Sequence, residues 1–140
     1  MNMPAYNFQI AESVLRYFAA LLFLFQGFDK LFKIGMPAVI DTFMIDASRY
    51  HVPRWFVGGV AWFSSLTEFA GGLLLLLGFI TDYSLYALAL DLLVVTFAFS
   101  FLDPMWDLKH VFPRMLLIVA LLLLPPSASY FRLDNLLIHR

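Results

Sequence analysis

Apolar residues fall in four long blocks along this chain, separated by short segments that mix charges with aromatic side chains. A membrane helix needs about 20 predominantly apolar residues, and residues 10–32, 53–79 and 83–102 each meet that length. The first block opens near Glu12 and Ser13 and closes at Lys30, Lys33 and Gly35. The second starts at Pro53 and ends at Gly78, and Thr81 or Asp82 can then cap the third. Only a few residues join the second and third, so these helices are expected as antiparallel neighbours.

The fourth block is weaker. Its clean run, 115–124, is ten residues, or about 15 Å at 1.5 Å per residue. To span, it must reach back through Pro113 to Trp106 or Asp107, which predicts a helix over about 107–124 with a kink near Pro113. Pro125 and Pro126 stop it. Between the first two blocks, Val39, Ile40, Phe43 and Met44 recur at helical spacing opposite Asp41 and Thr42, after Pro37 at a helix start. That pattern predicts a short helix lying on the membrane interface. The tail sets Tyr130, Phe131, Leu133, Leu136 and Leu137 among charges, as a second interface-lying segment does. The expected fold is all-α: an integral membrane four-helix bundle with a short interfacial helix between helices 1 and 2, one domain over residues 1–140.

Composition agrees. The chain is 62% hydrophobic and 14% charged, with a mean hydropathy of +0.84, whereas a soluble domain is nearer half apolar and a quarter charged. The net charge of −1, with no basic tract or phosphate-cradling glycine loop, gives no case for nucleic acid. There is no cysteine, which removes disulfides, thiol catalysis and thiolate metal sites from this chain. The start lacks a basic n-region, so the first block reads as an uncleaved helix. Lys30, Lys33, Arg49, Arg54, Lys109 and Arg114 lie on one side of the bundle, against Arg132 and Arg140 on the other. That bias predicts cytoplasmic first and third loops and both termini outside.

Glu68 is the only formal charge in residues 55–79. A charge at bilayer depth costs about 2.5 kcal/mol or more and normally faces a partner or a polar cavity. Gly58, Ala61, Ser65, Glu68 and Gly72 share its helix face, with Ser64 and Gly71 beside them. Small residues at this spacing form a packing seam, but a seam has no use for a carboxylate. Asp91 lies near the centre of the third block, at a depth similar to Glu68. Arg16, in the first block, can reach toward Glu68 or Asp91 or snorkel outward.

A second polar group gathers at the other end of the bundle: Asp29, Lys30, Arg54, Asp103, Lys109, His110 and Arg114. Such a rim can hold a polar headgroup over an apolar crevice. The neighbouring Phe28, Phe32, Trp55, Trp106 and Phe112 fit that picture, and fit an ordinary interfacial aromatic belt better. Three histidines, two of them in loop and tail, leave His110 without an obvious second metal ligand, so no metal site is expected. No nucleophile–base pair is legible.

Two segments carry a resemblance. Gly27-Phe28-Asp29-Lys30-Leu31-Phe32 resembles the G-x-D-K-L-F end of the first helix in DoxX proteins, and the run from Glu68 through Gly71-Gly72 to Gly78 resembles their E-x-x-G-G-L-L-L-L-L-G core. The likeness covers roughly residues 10–100. It implies a membrane protein of the DoxX/DoxD-like group, whose DoxD relatives serve as a membrane subunit of a thiosulfate:quinone oxidoreductase. Other members have been linked to membrane-associated oxidative-stress complexes. With no cysteine and no separate redox domain, electrons would come from a redox protein partner or pass directly to a bound quinone.

The resulting expectation is a subunit or accessory of a quinone-linked membrane redox system in the bacterial inner (plasma) membrane. Glu68 is the candidate catalytic residue and forms a central polar site with Arg16. Lys30, His110 and Arg114 contact a quinone or lipid headgroup, and Asp91 completes the binding set. A homo-oligomer is compatible with this. Two other readings stand beside it. One is a non-enzymatic scaffold that holds a soluble partner through the basic loop at Arg49 and Arg54. The other is a small proton-linked carrier using Glu68 and Asp91.

Overall fold

The computed structural model describes residues 5–102, 108–125 and Leu133. Among these residues the α-helices follow in order: α1 (Ala5–Phe28), α2 (Met36–Ala47), α3 (Arg54–Leu77), α4 (Thr81–Leu102) and α5 (Leu108–Leu123). A π-helical turn, Asp29–Ile34, prolongs α1, and a 3-10 turn, Ser48–Tyr50, follows α2. No strand occurs among the described residues. The helix spanning Tyr6–Ile34, together with α3 and residues 81–98 of α4, is long and apolar enough to cross a membrane; α5 adds a shorter apolar helix over Val111–Leu123. The architecture is an all-α membrane bundle.

The short connection after α3 is built by its last turn. Gly78 takes the left-handed conformation at φ 66, and the N–H groups of Gly78 and Phe79 donate to the carbonyls of Leu75 and Leu74. This closes the helix in the doubly bonded glycine cap that free C-terminal carbonyls favour. Ile80 also has positive φ, at 50, and α4 begins at the next residue.

Packing runs α1 on α3, α3 on α4, α4 on α5 and α5 back on α1, with α2 lying on α3. Ala20, Phe23, Leu75, Leu88, Leu92 and Ile118 are in the fully buried core. The small-residue seam is real packing. A Cβ on Gly72 would stand 2.5 Å from the backbone nitrogen of Leu24, and one on Gly27 would run into the backbone of Phe69. Two notches, one on each helix, thus bring α1 and α3 to close contact. The outer surface is apolar: Val14, Phe18, Phe25, Leu93, Phe97 and Leu123 are exposed, as lipid contact requires.

The predicted first crossing, 10–32, begins five residues earlier and ends in the π turn. The short helix expected between the first two crossings is α2, although its Met36, Val39, Ile40 and Phe43 face α3 rather than a lipid surface. The fourth helix runs through Pro113 from Leu108. The expected tail segment, apart from Leu133, lies outside the described residues, as do Asp103 and Trp106.

Candidate functional site

Arg16 and Glu68 belong to different parts of the bundle, which corrects the expected Glu68–Arg16 site. Arg16 is fully buried, and its Nε lies 3.2 Å from the carboxylate of Glu12, one turn earlier and equally buried. Its Nη1 donates to the carbonyls of Leu75 and Leu76 at 3.1 and 3.4 Å. Those carbonyls end α3, where the helix dipole is negative, so a guanidinium there is doubly favoured. Its carbon also sits 4.6 Å from the Tyr17 ring centroid. Leu75 is roughly 10 Å of helix rise beyond Glu68. Arg16 therefore clamps α1 to the end of α3.

The cation beside Glu68 is Lys30. Its ammonium donates to Oε2 of Glu68 at 2.7 Å, with the Glu68 side chain 2% exposed and Lys30 17% exposed. The π turn matters here: a residue held in such a widened turn is re-aimed, and π-bulges recur at functional sites. Lys30 follows Asp29 at the start of that turn and points inward to the bundle, while Asp29 pairs with the exposed Lys33 at 2.8 Å.

Asp91 joins the same cluster from α4. It is completely buried, and neither of its oxygens has a hydrogen-bond partner among the described residues. The Ser64 hydroxyl faces it without closing a bond of standard geometry, and Glu68, Lys30 and Arg114 lie within electrostatic reach. Arg114 on α5 interacts in turn with both acids. Four helices thus send two acids and two bases to one place. The two polar groups that look separate in sequence, one around Glu68 and one at the rim, meet through Lys30 and Arg114.

Above this cluster lies a cavity of about 640 Å³, within the range of small-molecule sites. Most of its wall is apolar, with Phe43 and Ala47 from α2, Val57 and Val60 from α3, and Val94 and Phe97 from α4. Gln26, Lys30, Ser64 and Arg114 supply the polar part, and Thr42 and Asp46 add polar atoms from α2. Glu68 is four residues on from Ser64, and Asp91 is three and four before Val94 and Val95, so both acids lie one turn beneath lining residues.

The aromatics expected near the rim face outward: Phe28, Phe32, Trp55 and Phe112 are all exposed. They match an interfacial belt rather than the cavity wall. Arg54 pairs with Asp41 at 2.6 Å, and Arg49 lies 3.8 Å from Asp46. The backbone of His110 is in α5, four residues before Arg114, but its side chain is outside the described set. Sequence reasoning missed Glu12 as the partner of Arg16 and Gln26 as a lining residue. Both stand four residues before a basic residue already singled out, and that spacing was the available signal.

An apolar bundle of helices long enough to cross a membrane, enclosing an ionic cluster, is the architecture of a polytopic membrane protein. The DoxX family profile matches residues 11–100, well over half the chain. The chain belongs to the DoxX family. No curated protein and no solved structure matches it significantly.

Proposed function

We propose that this DoxX-family protein is a quinone-binding subunit or accessory of a membrane redox system, acting as one DoxX-like membrane unit over its 140 residues. The observation that carries the reading is the largely apolar cavity of about 640 Å³ whose wall includes Lys30, the ion-pair partner of Glu68. A quinone is a flat apolar ring with two hydrogen-bond-accepting oxygens. Lys30 and Arg114 offer N–H donors to such an oxygen, Ser64 and Gln26 adjust its position, and the valine and phenylalanine walls take the ring. His110, one turn from Arg114 on α5, adds a headgroup contact in this proposal.

Reduction of a quinone takes two electrons and two protons and turns both carbonyls into hydroxyls. The chain has no cysteine, so the electrons come from a redox protein partner. Glu68, hydrogen-bonded to Lys30, is the candidate acid: it first takes up a proton, passes it to the developing oxyanion by general acid catalysis, and returns to the carboxylate that pairs with Lys30. Asp91 is the second acid of the cluster. Arg16 has no part in this chemistry. The inner (plasma) membrane of a bacterium is the proposed setting, with the first and third loops on the cytoplasmic side.

The scaffold reading draws less support, because Lys33, Arg49 and Arg54 each face an acid and leave loop one without a free basic patch. The nearness of Glu68 and Asp91 is a geometry that a proton-linked carrier would share. Transport in proteoliposomes that disappears with Asp91→Asn while quinone binding persists would favour the carrier.

Calorimetric titration of decylubiquinone into the protein in nanodiscs tests the quinone reading. Filling the cavity with Val60→Trp is expected to weaken binding at least tenfold, and Leu93→Trp on the lipid-facing side is expected to leave it unchanged. Equal binding by all three proteins would sink the assignment.

A further inference from the structure

Helix α2 is attached to the bundle differently from the other four. Met36 and Val39 form a small buried cluster with Ala61 of α3, with Leu31, Ile40 and Phe43 packed around it. No residue of the main core comes from α2 among those described. The helix is bounded at both ends by backbone that a continuous rod does not use. Gly35 lies at φ 82, where a side chain would be strained, and His51 takes the left-handed conformation at φ 57. Pro53 then runs extended into α3, at ψ 140.

This separately packed helix forms part of the cavity wall. Thr42, Phe43, Asp46 and Ala47 line the cavity from α2, and Val94 and Phe97 line it from α4. The contacts of α2 are made chiefly with α3, so the space between α2 and α4 is where the cavity lies. The outer side of α2 is tied to the start of α3 by the Asp41–Arg54 ion pair, with both side chains about three-fifths exposed. An exposed pair of this kind is weak and therefore reversible. A ligand whose polar end reaches Lys30 and Glu68 has to arrive at groups that are 17% and 2% exposed.

We infer that α2 is a lid. It swings as a rigid body on α3 about Gly35 and the 51–53 segment, with Asp41–Arg54 as its latch, and admits a membrane-borne amphiphile between α2 and α4. The inference rests on the proposed function only in taking that amphiphile to be a quinone; the hinges, the separate cluster and the shared wall stand without it.

The absence of cysteine makes spin labelling direct. Ile45 on α2 and Leu93 on α4 are 64% and 60% exposed, and Leu66 on α3 is 50% exposed, so labels there leave the core intact. Double electron–electron resonance on Ile45→Cys/Leu93→Cys in nanodiscs is expected to give two distances, collapsing to the shorter when decylubiquinone is added. Arg54→Ala should raise the longer-distance fraction several-fold. The control pair Leu66→Cys/Leu93→Cys should give one distance throughout. If the α2–α4 pair is as narrow as the control and moves with neither quinone nor Arg54→Ala, the lid is overturned. If Arg54→Ala opens it but decylubiquinone neither binds nor closes it, the lid stands and the quinone assignment falls.

Discussion

Lys30, which lines the cavity, and Glu68 are 38 positions apart in sequence and 2.7 Å apart in space. Removing one partner of a buried ion pair strands the other, which costs about 3–5 kcal/mol. Lys30→Met is therefore expected to destabilise the protein by about that amount, and the Lys30→Met/Glu68→Gln double variant to recover more than half of it. Chemical denaturation of the three proteins in the same detergent measures this. Additive losses in the double variant would show that the two side chains do not depend on each other.

Arg16 makes the opposite prediction. It holds Glu12 and the last carbonyls of α3, and hydrogen bonds to charged groups contribute about 1.5–3 kcal/mol. Arg16→Ala should lower the unfolding midpoint clearly, and Arg16→Lys should restore little, because an ammonium lacks the planar fork. Decylubiquinone affinity, measured at a temperature where the variants remain folded, should match the wild type within twofold.

Three glycines separate close packing from open surface. Gly72→Ala and Gly27→Ala push a methyl into the backbone of the neighbouring helix, and overpacking costs about 1–3 kcal/mol. Gly59→Ala meets nothing within 4 Å among the described residues, and in a helix the change favours Ala by up to about 1 kcal/mol. Thermal unfolding of the three variants should move down, down and slightly up. A neutral Gly72→Ala would mean that α1 and α3 stand further apart.

The proposed orientation places the loop between α2 and α3 in the cytoplasm. A single cysteine at Tyr50, 48% exposed, should resist a membrane-impermeant maleimide in intact cells and react after permeabilisation. Labelling in intact cells would reverse the topology.

The helices were legible because their signals are local. Apolar length marked the crossings, and Gly78 and Thr81 marked the turn between α3 and α4. Glu68 stood out as a lone charge, and the Gly71-Gly72 seam announced itself by spacing. The pairing did not. Arg16 and Lys30 lie on the same helix, and depth along the membrane left Arg16 a reasonable partner for Glu68. What decides between them is the relative shift of α1 and α3, which the glycine notches set, and the π turn that re-aims Lys30. Neither is written in the periodicity of one helix. The cavity was hidden for the same reason, since its wall draws on α2, α3, α4 and α5 at once.

The most direct measurement is mass spectrometry of small molecules retained by the protein purified in mild detergent, comparing wild type with the Lys30→Met/Glu68→Gln variant. That variant removes the pair without stranding a charge. The account predicts a quinone in the wild type, near one per chain, and little or none in the variant. Phospholipid alone in both, or the same quinone content in both, would contradict it.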